Sequence, residues 1–443
     1  DAHVRAGEAA EAAGDPAAAE AAYARAVAAR PDAVKAWFNL GIVRNALGRP
    51  ADAEAAYRRV LELRPDLPQA HNNLATVLLA LERPAEAERA CRDALALAPD
   101  SPGPLNGLGQ ALDARGRPEA AAAAFAQAAR QAPDTPQPRI NLGDVLNRLD
   151  RPAEAAGACR EALALAPDNA AAWHNLAGAL AGLGRPEAAI EACDRATALD
   201  STLARPHVLR ARLLADLGRY DAAAAACADA LARDPGDTAT RRHRGEILAA
   251  TGHTGAARAE LESVLAAAPD DADARVALGR LLAAEGNADA ARAAYETVLA
   301  AHPERRDARA HLAALLEQHN DLDAAEAVLA PARDAAATDP DVALAAARLD
   351  LRRDRPAAAR DRLRAWPGPL NDPGDARPAE RAFRLGTCHD RLGNPDAAVA
   401  RFAEGNARAA ALPGARSADK HVYRDHVATL HARFTTAWAA DWR

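Results

Sequence analysis

Methionine is absent from this 443-residue sequence, and aromatic side chains make up only 3% of it. The first absence implies that Asp1 is not the native start and that the chain is a piece of something longer. The second excludes a wide globular core, which needs large side chains to fill it. No apolar run approaches the roughly 20 residues that span a bilayer. The opening Asp1-Ala2-His3-Val4-Arg5 lacks the form of a secretory signal. A soluble, cytoplasmic chain without a membrane partner is therefore expected. The formal charge of -7 argues against nucleic acid as a partner. Five cysteines, an odd number in so long a chain, argue against a disulfide framework.

What the sequence has is alanine and a strict period. Alanine favours helix because it loses no side-chain entropy there, and it suits thin layers of closely packed helices. Prolines fall at 31, 65, 99, 133, 167, 235, 269 and 303, each interval 34 residues except one of 68. Glycine recurs in the same frame at Gly7, Gly41, Gly109, Gly143, Gly245 and Gly279, and again seven residues later from Gly14 to Gly286. Alanine holds one position without exception from Ala19 to Ala325. Gly48-Arg49-Pro50 and its equivalents predict a turn between two helices, with proline in the first turn of the second. Leu40, Leu74, Leu108, Leu142 and Leu176 are expected to present the apolar face that each neighbouring repeat covers.

Trp37-Phe38-Asn39-Leu40-Gly41, followed by Ala53, Tyr57 and Pro65, resembles the tetratricopeptide repeat, as does Trp173 to Ala177 with Ala189. The resemblance covers nearly the whole chain and implies an all-α, right-handed superhelical solenoid of about twelve helix-turn-helix repeats. The expected organisation is an array over residues 1–373, a final repeat over 374–412 after a Pro/Gly-rich insertion, and a C-terminal linker helix over 413–443. Tyr423, Val427, Leu430, Phe434 and Trp438 fall on one face of that last helix.

No catalytic motif appears: there is no HExxH, no GxxxxGK[ST] and no Gly-x-Ser-x-Gly. His421, His426 and His431 step by five residues, so they do not share a helical face. Cys91, Cys159, Cys193 and Cys227 occupy the position held elsewhere by Tyr23, Tyr57, Phe125, Tyr295 and Phe402, so they are expected in the core, and Cys388 likewise. Neither a metal nor a cofactor is expected.

The candidate site is a peptide-binding groove along the first helix of each repeat. Asn39, Asn73, Asn141 and Asn175 share one repeat position, and Asn106 stands one place earlier. An amide both donates to and accepts from a peptide backbone, whatever the peptide sequence. Lys35, Gln69, Gln110, Gln137, Asp144 and Asn147 are expected nearby. This series resembles the asparagine ladder of O-linked N-acetylglucosamine transferases, which implies a grip on extended polypeptide. An inert, half-exposed site between repeats is the competing reading. Further along, the face turns basic with Arg212, Arg242, His243, Arg280 and His311, which fits an acidic partner segment or ordinary solvated charge.

Phe383-Arg-Leu-Gly386, Asp390-Arg-Leu-Gly393, Ala398, Phe402, Gly405-Asn406, Tyr423 and Phe434 resemble the junction in bacterial tetratricopeptide-repeat sulfotransferases. That resemblance implies a substrate-recruiting arm with a catalytic domain in cis beyond Arg443. Its Pro-Arg-Ser-Gly-Thr loop is absent here. A glycosyltransferase fusion and a stand-alone assembly scaffold are the alternatives.

Overall fold

The computed structural model describes residues 2–337, 339–366 and 377–412. Among them are twenty-four α-helices, one 3-10 stretch at Ala330–Ala337 and no strand. The helices pair in chain order: Ala2–Ala12 with Pro16–Ala29, Val34–Ala46 with Pro50–Leu63, and so on to Arg377–Arg391 with Pro395–Ala411. These pairs are the twelve repeats. They fall into two compact units, Asp1–Ser201 and Thr202–Arg443, each a row of six pairs. The C-terminal helix expected over Tyr423 to Trp442, the histidines within it, and most of the insertion from Pro367 to Pro378 lie outside the described residues.

The turn within each pair follows from two residues. Gly48 takes a φ of 71°, in the left-handed region open to a residue without Cβ. Its N–H bonds back to the Asn45 carbonyl and that of Arg49 to Arg44, which closes the end of the first helix. Pro50 then opens the second helix where no N–H is needed. Four turns force another residue into the same conformation: Glu82, Asp150, Asn320 and Asp354, at φ between 53° and 62°.

The alanine column fixes the register. Ala19, Ala53, Ala87, Ala121, Ala155, Ala189, Ala223, Ala257, Ala291 and Ala325 are all 0% exposed. Beside it, the two helices of a pair cross at a matched couple. Gly7 faces Tyr23, Gly41 faces Tyr57, Gly109 faces Phe125, Gly279 faces Tyr295 and Gly386 faces Phe402. Where alanine replaces that glycine, the facing residue is smaller, as in Ala75 with Cys91, Ala177 with Cys193 and Ala211 with Cys227. A ring in these couples faces only glycine, and alanine faces only a cysteine or leucine, although glycine also faces Cys159 and Leu261. All five cysteines are buried and none is in a disulfide. Burial pushes the Cys91 and Cys159 thiols up to about 12, so they pack as small apolar groups.

Two further ties join consecutive repeats. Trp37 Nε1 donates to the Pro31 carbonyl at 3.0 Å and Trp173 Nε1 to Pro167 at 2.8 Å. The His71 ring makes the same contact with the Pro65 carbonyl at 2.8 Å, and arginine does so in unit 2, from Arg241 to Pro235 and Arg309 to Pro303. The second tie is an ion pair between a turn arginine and a glutamate of the preceding repeat. It joins Arg49 to Glu20, Arg83 to Glu54, Arg117 to Glu88 and Arg355 to Glu326. Glu88 is the buried member, 1% exposed and also held by Arg92 and Arg115.

The leucine series departs in part from expectation. Leu40, Leu74 and Leu176 are buried, but Leu108 and Leu142 are only half-covered. For Leu142 the reason is its surroundings, Ala122, Ala126 and Ala158, whose side chains stop short of it.

Candidate functional site

In unit 1 the first helices touch one another directly: Val34–Ala46 against Pro68–Ala80, that helix against Pro102–Ala114, and Gln137–Arg148 against Ala170–Gly182. No two successive second helices there make comparable contact. The row therefore bends with its first helices on the inner side, and the asparagine series runs along that side.

Each asparagine reaches toward the preceding repeat. Asn39 Nδ2 donates to the Tyr23 hydroxyl at 3.2 Å, and Asn73 Nδ2 to Tyr57 at 3.5 Å. The Tyr23 hydroxyl in turn donates a hydrogen bond to Glu11. Burial pushes both phenols up to about 12, against the opposing effect of the asparagine hydrogen bonds, so they stay protonated at neutral pH. Where the preceding repeat has no tyrosine, the amide finds another partner. Asn141 Nδ2 donates to Asn106 Oδ1 at 3.0 Å, and Asn141 Oδ1 accepts from Gln137 at 2.9 Å. Asn175 is buried, its Nδ2 on the Ile140 carbonyl at 3.1 Å, while its own carbonyl accepts from Asn147 at 2.8 Å. Asn39, Asn73, Asn106 and Asn141 remain half-exposed.

The structure thus brings Asn106, Gln137 and Asn141 into one hydrogen-bonded group and keeps Asn39 and Asn73 as separate rungs. Lys35 is tied to Glu8 at 2.6 Å and Asp144 to Arg148 at 3.3 Å. Gln69 and Gln110 occupy first helices of the same row. Asn72, beside Asn73 and 3.4 Å from its Oδ1, belongs to this amide patch and was not singled out from sequence. The run Asn72-Asn73 within a helix was the available signal.

In unit 2 the asparagine position holds His243 and His311, and Arg212, Arg242 and Arg280 stand beside that position on first helices. Arg212, Arg242 and His243 line a cleft of about 240 Å³ with Val208, Thr240 and Glu246. Arg242 is paired with Asp273 at 2.8 Å, and His243 Nδ1 lies 3.8 Å from Glu246. His311 stacks on Tyr295 with ring centroids 5.9 Å apart. Burial and the charge of Arg280 lower its pKa, which keeps the ring neutral near pH 7. Arg280 is exposed on the neighbouring first helix, Ala272–Ala284.

Tetratricopeptide repeat models match residues 4–68, 66–134, 106–170, 146–213, 214–283 and 282–349. The chain belongs to the tetratricopeptide repeat family and is a scaffold of the kind that serves protein interaction. A tetratricopeptide repeat protein from Parabacteroides merdae is 15% identical over 54% of this chain and 94% of its own, with a TM-score of 0.45. Pseudomonas aeruginosa pilF is 26% identical over 47% of this chain and 95% of its own, TM-score 0.42. YrrB, described as having an unusual peptide-binding site, is 20% identical over 42% of this chain and 95% of its own, TM-score 0.35. No curated protein matches the chain. No helix among the described residues is long and apolar enough to cross a membrane.

Proposed function

We propose that the inner face of unit 1 binds an extended polypeptide through its backbone. The observation that supports this best is the row of half-exposed amides Asn39, Asn73, Asn106 and Asn141 on first helices of successive repeats. An extended chain offers a donor and an acceptor at every residue, and such amides meet both. Arg242, His243 and Arg280 lie on first helices of unit 2, His243 at the asparagine position itself, and favour an acidic stretch of the same kind of ligand. Replacing the four half-exposed asparagines by alanine tests the reading. Peptides long enough to span the four asparagines, selected on the wild-type chain from a random library, should lose binding by titration calorimetry, with helical content unchanged. Undiminished binding would refute it. Asn175 is left out of the variant because its buried amide serves the joint between repeats.

The larger role we infer is the recruiting arm of a sulfotransferase with its catalytic domain beyond Arg443. Support comes from the sequence likeness between Phe383 and Phe434 alone. The native gene product, read through its stop codon, should transfer sulfate from a phosphosulfate donor while residues 1–443 do not. A glycosyltransferase domain downstream, or none, would refute this role and leave the peptide-binding reading standing.

A further inference from the structure

The glutamate that ties one repeat to the next is missing from six consecutive positions, from Ala122 to Arg292, before it returns at Glu326. Glu20, Glu54 and Glu88 are followed in the same register by Ala122 and Ala156. Arg151 keeps only the pair with Glu154 on its own helix, at 2.6 Å, which Arg49 and Arg83 make with Asp52 and Glu86 in addition to their cross-repeat glutamates. A groove of about 630 Å³ opens there between the second helices Pro118–Gln131 and Pro152–Leu165. Its walls are Ala122, Ala126, Gly157 and Ala158, and its floor is Leu142 and Leu146 of the helix Gln137–Arg148. In the repeat before, the position of Ala123 and Gly157 holds Arg89, so bulk and charge stand where this groove is bare.

Of the charged residues that line the groove, Arg139 is paired with Glu161 and Arg151 with Glu154, which leaves two opposite charges unpaired. Glu119 at one end and Arg130 at the other are exposed, line the groove, and make no ion pair or hydrogen bond among the described residues. They stand eleven positions apart on one helix, about 16 Å along its axis. Eleven positions are close to three full turns, so both point to the same side.

We propose that this groove docks an amphipathic α-helix of a partner protein, with aliphatic side chains laid over Leu142 and Leu146. The charges prescribe its ends: a cation over Glu119 and a carboxylate over Arg130, itself spaced about eleven residues apart on the docked face. The site lies on the second helices, away from the asparagine row, and does not depend on it. A ligand on each face would make the chain a two-sided adaptor.

The probe is a fluorescein-labelled Ala/Leu helical peptide with leucines on one face, an arginine near one end of that face and a glutamate eleven residues on. Fluorescence anisotropy should show saturable binding to the whole chain. Exchanging the charges, Glu119→Arg with Arg130→Glu, should weaken the probe at least tenfold, and a probe with its own charges exchanged should recover the loss. Ala122→Glu restores the residue found in the three preceding repeats and lets it pair with Arg151. It should close the groove and abolish binding without lowering the melting temperature. Failure of the wild-type chain to bind the probe, or equal binding to Ala122→Glu, overturns the proposal. So does a concentration-dependent dimer in sedimentation that Ala122→Glu dissolves, since that result assigns the groove to a second copy of the chain.

Discussion

The matched couples at the helix crossings make a sharp energetic prediction. A Cβ placed on Gly41 would lie 2.7 Å from Tyr57 Cε1 and 2.8 Å from Cζ, with the ring 2% exposed and unable to swing out. Overpacking of this kind costs about 2–3 kcal/mol, and the better helix preference of alanine returns about 1 kcal/mol. Gly41→Ala is therefore expected to destabilise by about 1–2 kcal/mol. Tyr57→Cys alone removes a buried ring and should cost about 3–4 kcal/mol, including the hydroxyl that Asn73 uses. Together the two changes create the Ala–Cys couple already present at Ala75 with Cys91 and Ala177 with Cys193. The double variant should be more stable than the sum of its parts by about 2 kcal/mol. Urea unfolding followed by circular dichroism gives the global value. Hydrogen exchange over Val34–Leu63 gives the local one, which matters because repeat arrays open in pieces. Additivity within about 0.5 kcal/mol would refute the size-matching argument. Gly143→Ala is the control: the one atom its Cβ would crowd is Cys159 Sγ, at 2.5 Å, the end of a side chain that can change rotamer, and the Ala–Cys couple occurs at Ala75 with Cys91. It should be neutral or stabilising.

Glu82→Gly should raise stability by about 1 kcal/mol, since the left-handed turn penalises a Cβ and Glu82 is exposed at φ 57°; an unchanged urea midpoint would contradict this. Burial alone would raise the Glu88 carboxyl, but the Arg115 hydrogen bond and the charges of Arg92, Arg115 and Arg117 prevail and hold it below the usual range. Its folded value is thus the depressed one. The stability it lends is complete above the ordinary glutamate range near pH 4–5 and is lost as pH falls through the folded value. Glu88→Gln should accordingly cost about 1–3 kcal/mol at pH 7 and flatten the acid limb of the stability curve, measured by urea titration across pH. Ala189→Trp, at a site 0% exposed, should unfold its repeat, and a native-like melting curve would show the register to be wrong.

The fold was legible because the period repeats its physics many times over. Proline, glycine and alanine columns each state a local requirement, and the buried alanines meet it at every turn. The asparagine row was legible as a register but not in its contacts. Asn39 and Tyr23 are sixteen residues apart on helices of different repeats, so nothing local in the sequence joins them. The couples of Gly41 with Tyr57 and Ala75 with Cys91 were present as two separate columns; comparing the columns repeat by repeat would have joined them. The groove at Leu142 was hidden because it arises from what Ala122 and Gly157 lack.

The hydrogen bond from Asn39 to Tyr23 has a consequence for any polypeptide that lies along this row. Such a ligand finds one hydrogen of the amide already engaged, so the second hydrogen and the Oδ1 lone pairs are what it meets. Each rung then trades bonds to water for bonds to the ligand, with a modest net return. Affinity under such terms accumulates only through length: a short segment leaves no measurable trace, and a long one is held by the sum. The row would act as a ruler, selecting chains by how far they stay extended before it selects them by sequence.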